Sequence, residues 1–555
     1  MSGPPMSNAA IYLHPDAFDT ADAPLVGRRA AGESFLRGFL RHADVEAFHF
    51  WNVSGQPQAK LDALVERIEP PRRPVHWIDR RDRPGLRAQG VLHMPGPSLD
   101  AEAFLRLSYG SNAYALCGVT HTTATERIMR VLPDLLVAPL EGHDALICTS
   151  GAVREAVETQ LSMMRDYLKA QFGPRQRPEL MRTTIPLGVN TEDFAPSPRS
   201  RTEWRAKLGV PAEAVVALYV GRHSVKTKMN PALMAMALER AAGKTDRQIC
   251  WLNSGWVEPA SAEATFHEEV RALCPSVTYL TVDGRQPEVR FSIWSAADLF
   301  LSFPDNIQET FGLTPIEAMA AGLPCVVSDW NGYKDTVRHG VDGFRIPTLA
   351  PRAGLGGDLA HWFASGWLNY ENYVGAAAQY TAVDLAAAEA AILALVEDEG
   401  RRRTMGAQAA QRAREVFDWR AIIPQYQELW AEQDARRRGS TADVLSRPTP
   451  YRPDPYTLFA SYPSRSLQRS DLVTLQPGMD WPTAEARLAG PLAAYSALNR
   501  PVAAELSVVL GRLASGGPAT VAELLGLVAP ERRSYLERGL IWMARHDVVA
   551  IHRAD

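Results

Sequence analysis

The sequence has few cysteines and few lysines. Five cysteines are spread along 555 residues without a C-x-x-C pair, so they predict neither a disulfide framework nor a zinc site. Only seven of the 59 basic residues are lysine, and two of these, Lys226 and Lys228, lie close together. We therefore expect a reducing, cytoplasmic setting, and we treat the lysine pair as a candidate binding site.

The chain also lacks long apolar runs, strong net charge and low-complexity composition. Its first ten residues have neither the basic start nor the apolar stretch of a signal peptide, and no run of about 18 uncharged apolar residues occurs. We expect neither secretion by that route nor a spanning helix. A formal charge of −4 provides no broad field for nucleic acid. The composition, with 46% hydrophobic residues, is that of a soluble globular protein.

Strand-like apolar runs alternate with helix-like stretches along most of the chain, which predicts two doubly wound α/β domains. The alternation extends from Ala9 to Phe194 and restarts near Ala214. A Pro- and Ser-containing hinge separates the two parts. The predicted boundaries are 1–195 and 196–383 for two Rossmann-like domains, 384–435 for a helical segment completing their core, 436–455 for a linker, and 456–555 for a small α-rich, winged-helix-like module.

Residues 299–347 place polar groups at the edge of the second predicted sheet. A buried strand ends near Phe303, and a polar loop and then a helix follow. Open α/β sheets bind ligands at this carboxyl edge. Thr314, Pro315 and Glu317 match a helix start with a capping box, in which Thr is the N-cap and Glu the third helical residue.

Two glutamates, Glu309 and Glu317, flank this predicted helix start. The preceding Gly312 allows a ligand to approach the backbone, and the N–H groups of a helix start suit a diphosphate. Carboxylates on either side of an anion site make sense if each accepts hydrogen bonds from sugar hydroxyls. The alternative is two solvated acids around a helix cap; the surrounding loop favours the sugar interpretation.

A second polar loop, in LYVGRHSVKTKMNP, follows the first strand of the same predicted domain. Arg222, Lys226 and Lys228 lie on it, and cations at this edge would neutralise a diphosphate leaving group. We prefer Lys228 to Lys226 because it comes just before the next helix. The alternative is a solvated loop, which the scarcity of lysine disfavours.

Signals are weaker in the first half. Gly27 and Gly32 follow the first strand and would let backbone approach a ligand, but their spacing is not that of a dinucleotide fingerprint. His121 lies just beyond another apolar run, although a lone histidine is more often structural. The amphipathic segment ESFLRGFLRHA fits an anionic membrane surface, yet its position favours an ordinary packing helix.

Several ordered motifs resemble glycosyltransferase family 4, the retaining nucleotide-sugar transferases of GT-B fold. The longest is ETFGLTPIEAMAAGLP, followed by SDWNGY and HGVDGF. LYVGRHSVKTK, ICTSGAVREAV, IPLGVNTEDF and EVFDWRAI also match, so the resemblance covers roughly residues 10–432. It implies an N-terminal domain on the acceptor side and a C-terminal domain that binds the donor.

The resemblance also implies roles for the two glutamates and the helix start between them. Glu309 would bind hydroxyls of the donor sugar, and Glu317 would bind the ribose diol. The backbone that would contact the sugar and phosphates is that of Phe311, Gly312, Leu313 and Thr314.

The remaining candidate residues have implied roles around the diphosphate and the acceptor. Arg222 and Lys228 would hold the diphosphate, and His121 would contact the donor sugar beside the reacting carbon. The loop from Gly27 to Gly32 would border acceptor and phosphate. The family needs no bound metal, in agreement with the missing D-x-D motif, so we expect neither cofactor nor metal.

The sequence departs from the family pattern at a few places. Asn190 stands where the family often has Asp. In the basic loop, Lys226 and Lys228 lie one on each side of the position where the family usually has its lysine. Residues 440–555 lie outside the resemblance. Their winged-helix-like end is a candidate for binding a protein partner, and the mixed charge of APERRSYLERG disfavours nucleic acid.

We therefore predict a cytoplasmic glycosyltransferase that moves a hexose-like sugar from a nucleoside diphosphate to a hydroxyl of a glycan, lipid-linked glycan, protein or small molecule. A peripheral contact with the inner face of a membrane stays open. Two alternatives also stay open: a GT-B nucleotide-sugar epimerase, and a scaffold that binds nucleotide without turnover.

Overall fold

The computed structural model describes residues 8–20, 27–174, 179–258, 260–440, 446–496 and 500–554. It divides into two compact units, Met1–Pro450 and Tyr451–Asp555. The division falls inside the predicted linker, 436–455. The last helix before it extends to Gly439, so the first residues of that predicted linker are helical.

The first unit begins with a seven-stranded parallel sheet of strand order β3-β2-β1-β4-β5-β6-β7. Its strands are short and largely buried, as expected for a sheet covered on both faces. They are β1 (Ala10–Leu13), β2 (Phe48–Asn52), β3 (Val75–Asp79), β4 (Val91–His93), β5 (Ala115–Val119), β6 (Ala145–Cys148) and β7 (Met181–Thr184). The helices of this domain are α1 (Pro15–Phe18), α2 (Gly27–His42), α3 (Gln58–Ile68), α4 (Arg83–Gln89), α5 (Asp100–Arg106), α6 (Glu126–Asp134) and α7 (Gly151–Phe172).

A second parallel sheet of six strands follows, with order β10-β9-β8-β11-β12-β13. Its strands are β8 (Val215–Val220), β9 (Ile249–Gly255), β10 (Thr278–Asp283), β11 (Leu299–Ser302), β12 (Cys325–Ser328) and β13 (Gly343–Ile346). Its helices are α8 (Pro198–Leu208), α9 (Ala232–Ala242), α10 (Glu263–Leu273), α11 (Pro287–Ser292), α12 (Leu313–Ala320) and α13 (Tyr333–Thr336). The strand order reverses between β8 and β11, and the crevice at such a reversal is where open α/β sheets bind ligands.

A helical region completes the first unit. It contains a small antiparallel pair, β14 (Thr348–Leu349) with β15 (Ala382–Val383), around the helices α14 (Gly357–Ala364) and α15 (Tyr370–Ala378). Three further helices follow: α16 (Leu385–Glu397), α17 (Glu399–Arg412) and α18 (Trp419–Gly439). Two parallel-sheet domains with a helical completion confirm the predicted α/β, GT-B type of fold.

The final helix of the unit, α18, returns to the first domain. Trp419 and Trp430 are fully buried in the core that also holds Phe35 and Phe39 of α2. The two chain segments that pass between the domains are joined as well, because the backbone N–H and hydroxyl of Thr191 both donate to a carboxylate oxygen of Asp418. The chain therefore crosses between the domains at two connected places.

Part of the predicted hinge has regular structure. The segment after Asn190 forms a 3-10 turn, Thr191–Phe194, and then helix α8, which starts at Pro198 behind the N-cap Ser197. Pro is favoured at the first helical position because its missing N–H would have had no partner in the helix. This proline therefore begins a helix and does not mark a flexible hinge.

The second unit combines helices with a three-stranded antiparallel sheet of order β17-β16-β18. Its elements are α19 (Pro455–Leu458), β16 (Leu472–Leu475), α20 (Trp481–Ala489), α21 (Ala503–Gly516), β17 (Ala519–Thr520), α22 (Val521–Leu525), α23 (Arg533–Arg545) and β18 (Val549–His552). The predicted order of helix, turn, helix and short strand at its end is confirmed. Thr520 and Glu523 form a capping box at the start of α22.

Helix α2 shows how the amphipathic segment of the first domain is used. Its apolar residues Phe35, Leu36 and Phe39 are buried, and its cations Arg37 and Arg41 form ion pairs with acidic side chains. This is the packing role favoured above. Among the described residues, none of the helices is both long enough and apolar enough to cross a bilayer.

Candidate active site

The best-defined polar cluster lies where the second sheet reverses its strand order. Lys228 lies on the loop after β8, and Glu309 lies on the loop after β11. Because β8 and β11 are neighbouring parallel strands, these two loops meet at the carboxyl edge of the sheet. There the Lys228 Nζ donates a hydrogen bond to Glu309 Oε2 at 2.7 Å.

The electrostatics of this pair keep both groups charged. Burial by itself would raise the pKa of Glu309, but the ammonium of Lys228 and the N–H groups of Thr310 and Phe311 lower it below its usual value. Burial would lower the pKa of Lys228, yet Glu309 raises it overall. Lys228 remains 31% exposed and Glu309 10%. The pair is thus a charged group at a surface that a ligand can reach.

Two consecutive buried residues hold the loops in place. The side-chain amide of Asn306 donates to the carbonyl oxygen of Lys226 at 2.6 Å, and its Oδ1 accepts from the N–H of Gln308 at 2.8 Å. The carboxylate of Asp305 accepts from the N–H of Asn230 at 3.4 Å. The bonded residues lie on both sides of Lys228 in one loop and just before Glu309 in the other. The contacts therefore fix the distance between Lys228 and Glu309.

The helix start beyond Glu309 differs from the prediction. Helix α12 begins at Leu313, and its N-cap is Gly312 at φ +83°, not Thr314. The predicted capping box is therefore absent: among the described residues, no side chain caps this N-terminus. Gly312 is required here because a Cβ would lie 1.9 Å from the Tyr333 ring. The N–H groups at this helix start are those of Leu313 and Thr314, because the third residue, Pro315, has none.

Glu317 lies on the first turns of α12 and lines a pocket that α2 of the first domain borders; neither Lys228 nor Glu309 is one of its lining residues. The pocket is small, with a cavity volume of about 50 Å³, and Arg290, Phe291 and Asn190 also line it. Burial raises the pKa of Glu317 to about 7, while Arg290 and Lys228 counteract this in part. Among the described residues, the buried Oδ1 of Asn190 has no hydrogen-bond partner. The pocket therefore offers polar groups to a ligand.

Residues of the first domain meet the Glu309 loop across the cleft. The hydroxyl of Thr310 donates to the backbone carbonyl oxygen of His121 at 2.7 Å, and the hydroxyl of Ser150 donates to the Thr310 carbonyl oxygen at 2.7 Å. The structure thus brings His121, predicted from a weak signal, beside the Glu309 loop.

The other cations of the basic loop have different partners. Arg222 forms an ion pair with Glu258, with 2.6 Å between Nη1 and Oε2, so binding to a diphosphate would require it to exchange that partner. The Nζ of Lys226 donates to Asn372 at 2.8 Å. Of the two lysines, it is Lys228 that contacts Glu309, which favours the choice made from sequence.

The glycine loop proposed for the first domain is not a loop in the described residues. Gly27 begins α2 and Gly32 lies within it; residues 21–26, just before, are outside the described residues. A Cβ at Gly32 would lie 2.0 Å from the carbonyl oxygen of Ala17, so this glycine permits close helix packing. Helix α2 borders the pocket instead through Ala30, Glu33, Ser34 and Arg37.

Several residues at the cleft gave no signal in the sequence analysis. Helix α15 contributes Asn372, bonded to Lys226, and Val374, whose carbonyl oxygen accepts from Asn306 at 3.4 Å. This Ala- and Tyr-containing stretch is not one of the motifs singled out in the sequence. Asn331, whose amide donates to the carbonyl of Glu309, does lie within the SDWNGY motif. Across the described residues, no group of three or more His, Cys, Asp or Glu side chains is arranged to hold a metal ion.

Comparison with known sequences points to one class of enzyme. Residues 200–353, which include the Lys228 and Glu309 loops, match the model of the family described as "Glycosyl transferases group 1". A D-inositol 3-phosphate glycosyltransferase from Kineococcus radiotolerans is 32% identical over 268 residues, which is 46% of this chain and 53% of the relative. The protein of that name from Thermobispora bispora is 28% identical over 200 residues, covering 35% and 45%.

The second α/β domain is thus similar in sequence to the group 1 glycosyltransferases. The chain spans about half the length of the curated relatives it matches. Among solved structures, Anabaena Alr3699/HepE in complex with UDP has a TM-score of 0.46 and 16% identity, covering 76% of this chain and 99% of the other.

Proposed function

We propose that this protein is a retaining glycosyltransferase that transfers a sugar from a nucleoside diphosphate to a hydroxyl acceptor without a bound metal. The observation that carries the proposal is the Lys228–Glu309 pair at the reversal of strand order in the second sheet. A cation, a carboxylate and the start of α12 meet there, and the matched group 1 segment contains all three.

The donor would lie along this edge of the second domain. Its diphosphate would be held by Lys228, by the N–H groups at the start of α12 and by Arg222 after release from Glu258. Once Lys228 pairs with phosphate, Glu309 is free to accept hydrogen bonds from hydroxyls of the sugar. Glu317, in the pocket that α2 borders, would bind the ribose diol.

The chemistry follows from this arrangement of charges. As the sugar–phosphate bond breaks, negative charge grows on the diphosphate, and preorganised donors at that point lower the barrier. The sugar carbon becomes oxocarbenium-like between Glu309 and His121. An acceptor hydroxyl attacks the sugar carbon from the leaving-group face as the sugar–phosphate bond breaks, and it passes its proton to an oxygen of the departing diphosphate. The transferred sugar thereby keeps its anomeric configuration.

The test is incubation of the full chain with a panel of nucleoside-diphosphate sugars and measurement of the nucleoside diphosphate released. Glu309→Ala is the site variant, and Glu415→Ala, which changes an exposed glutamate of the helical region, is the matched control. We expect release from one donor, lost in Glu309→Ala and kept in the control.

Three other outcomes would contradict the proposal. Equal release by the Glu309→Ala variant would remove Glu309 from the site. Conversion of the donor to its epimer without transfer would identify an epimerase. Absence of release across the panel, together with absence of nucleotide binding, would contradict a donor site altogether.

A further inference from the structure

Thr310 connects the Glu309 loop to the other α/β domain. Its hydroxyl donates to the backbone carbonyl oxygen of His121, and its own carbonyl oxygen accepts from the hydroxyl of Ser150, both at 2.7 Å. Thr310 is only 6% exposed, so water has little access to these bonds. A single residue therefore bridges the cleft directly beside Glu309.

A parallel contact strengthens this connection. The N–H of Gly151, the first residue of α7, donates to Asp335 Oδ2 at 2.6 Å. Ser150 is the N-cap of the same helix and accepts from the N–H of Val153 at 3.2 Å. The start of a 22-residue helix of the first domain thus contacts both the Thr310 backbone and α13. The Thr310 bridge is supported by a rigid element on the far side.

We infer that Thr310 is a positioning residue that fixes His121 relative to Glu309 across the cleft. The inference rests on the proposed function, in which the reacting sugar lies between those two residues. The contacts proposed for the diphosphate, by contrast, all belong to the second domain. Loss of the Thr310 hydroxyl should therefore impair the reaction at the sugar without weakening the binding of the nucleotide.

The test compares Thr310→Val, which keeps the shape and removes the hydroxyl, with Thr310→Ser, which keeps the hydroxyl. A hydrogen bond of ordinary strength corresponds to a roughly three- to tenfold fall in kcat for Thr310→Val. We expect the Kd for the nucleoside diphosphate to change less than about twofold, and Thr310→Ser to restore most of the rate. Thr202→Val is the matched control, because the Thr202 hydroxyl donates within its own helix, to Pro198.

Hydrogen exchange provides a second measurement that does not depend on turnover. In Thr310→Val we expect faster exchange of backbone amides in residues 119–123 and 308–312, with residues 215–220 of β8 unchanged. Unchanged kcat and unchanged exchange would overturn the inference. So would equal losses of kcat and nucleotide affinity, which would indicate a merely structural role.

The two measurements also separate this inference from the proposed function. If the wild-type chain released no nucleoside diphosphate from any donor and bound no nucleotide, the proposed function would be contradicted. Exchange would then decide the inference alone: faster exchange at 119–123 in Thr310→Val supports the bridge, and unchanged exchange overturns it.

Discussion

Each α/β domain contains an ion pair between side chains, and the two pairs differ in how deeply they are buried. In the first domain, Arg106 and Asp144 are both 0% exposed and are joined by two hydrogen bonds at 2.7 and 2.8 Å. Backbone groups add further hydrogen bonds to both side chains: Arg106 also donates to two carbonyl oxygens, and Asp144 accepts from two N–H groups. Among the described residues, the buried Nε of Arg106 has no hydrogen-bond partner.

The Lys228–Glu309 pair of the second domain is less enclosed. It rests on one hydrogen bond between the side chains, it lies at a sheet edge, and Lys228 is 31% exposed. A ligand can replace one partner of such a pair, whereas nothing can reach the pair in the first domain. Of these two pairs, a ligand can therefore act only on the Lys228–Glu309 pair.

The largest expected effect on stability comes from breaking the Arg106–Asp144 pair. Asp144→Ala leaves the Arg106 charge buried without a partner, and such a loss costs about 3–5 kcal/mol of stability. We expect a correspondingly large fall in the free energy of unfolding measured in urea. A loss below about 1 kcal/mol would contradict the structural role given to this pair.

Breaking the Lys228–Glu309 pair should cost little stability and much catalytic rate. Glu309→Gln removes the charge, but water can solvate Lys228, so we expect stability to fall by less than about 1 kcal/mol. The value of kcat/KM should fall by roughly 10²–10³, as for removal of a group that acts on the reacting centre. A large loss of stability with little loss of rate would reverse the assignment of the two pairs.

A third change tests the close backbone approach at the cleft. Gly312→Ala places a Cβ against the Tyr333 ring at a positive φ, and we expect a cost of about 2–4 kcal/mol from overpacking and backbone strain together. Gly340→Ala is the control: its φ is also positive, at +76°, but its Cβ would meet no described atom within 4 Å. Equal melting temperatures for the two variants would contradict the packing argument.

The smallest expected effect is a pH dependence from Glu317. Burial raises the pKa of this carboxyl to about 7 in the folded chain, above the ordinary value of about 4.3. The folded state therefore holds a proton that the unfolded state releases, and stability should decrease as pH rises between these values.

The matching variant removes that dependence. Relative to wild type, Glu317→Gln should gain on the order of 2 kcal/mol in unfolding free energy between pH 5 and pH 8. Thermal denaturation of both proteins over this range measures it. A difference that does not change with pH would show that Glu317 titrates normally.

Much of the fold could be predicted because parallel strands leave a strong pattern. Runs such as AVVALYVG and ADLFLSF are continuous apolar segments flanked by loops, and they became β8 and β11. The separation of the C-terminal module was also visible as a change in composition. What failed was local: the Pro after Ser197 begins a helix where a hinge was expected, and the helix start at Gly312 depends on the Tyr333 ring, which is distant in sequence.

Part of the candidate site could be predicted from charged residues near the ends of two neighbouring strands. Glu309, Glu317 and Lys228 could be chosen as candidates because charged residues follow buried strands. The contacts of Thr310, Asn306 and helix α15 could not be predicted, because their partners are distant in sequence and are set by tertiary packing. Gly32 was wrongly predicted to lie in a ligand-binding loop. In the sequence, a glycine that permits close helix packing cannot be distinguished from one that lets a ligand approach the backbone.

The most direct test of the central claim is a calorimetric titration with uridine, guanosine, adenosine, cytidine and thymidine diphosphates. The full chain, Lys228→Ala and Lys226→Ala would be compared under identical conditions. We predict that one nucleoside diphosphate binds the wild type. Its affinity for Lys228→Ala should be about tenfold or more lower, since a charge-assisted hydrogen bond is lost. Its affinity for Lys226→Ala should stay within about twofold of wild type. Equal affinity for wild type and Lys228→Ala, or no binding of any of the five, would contradict a diphosphate site at the Lys228–Glu309 pair.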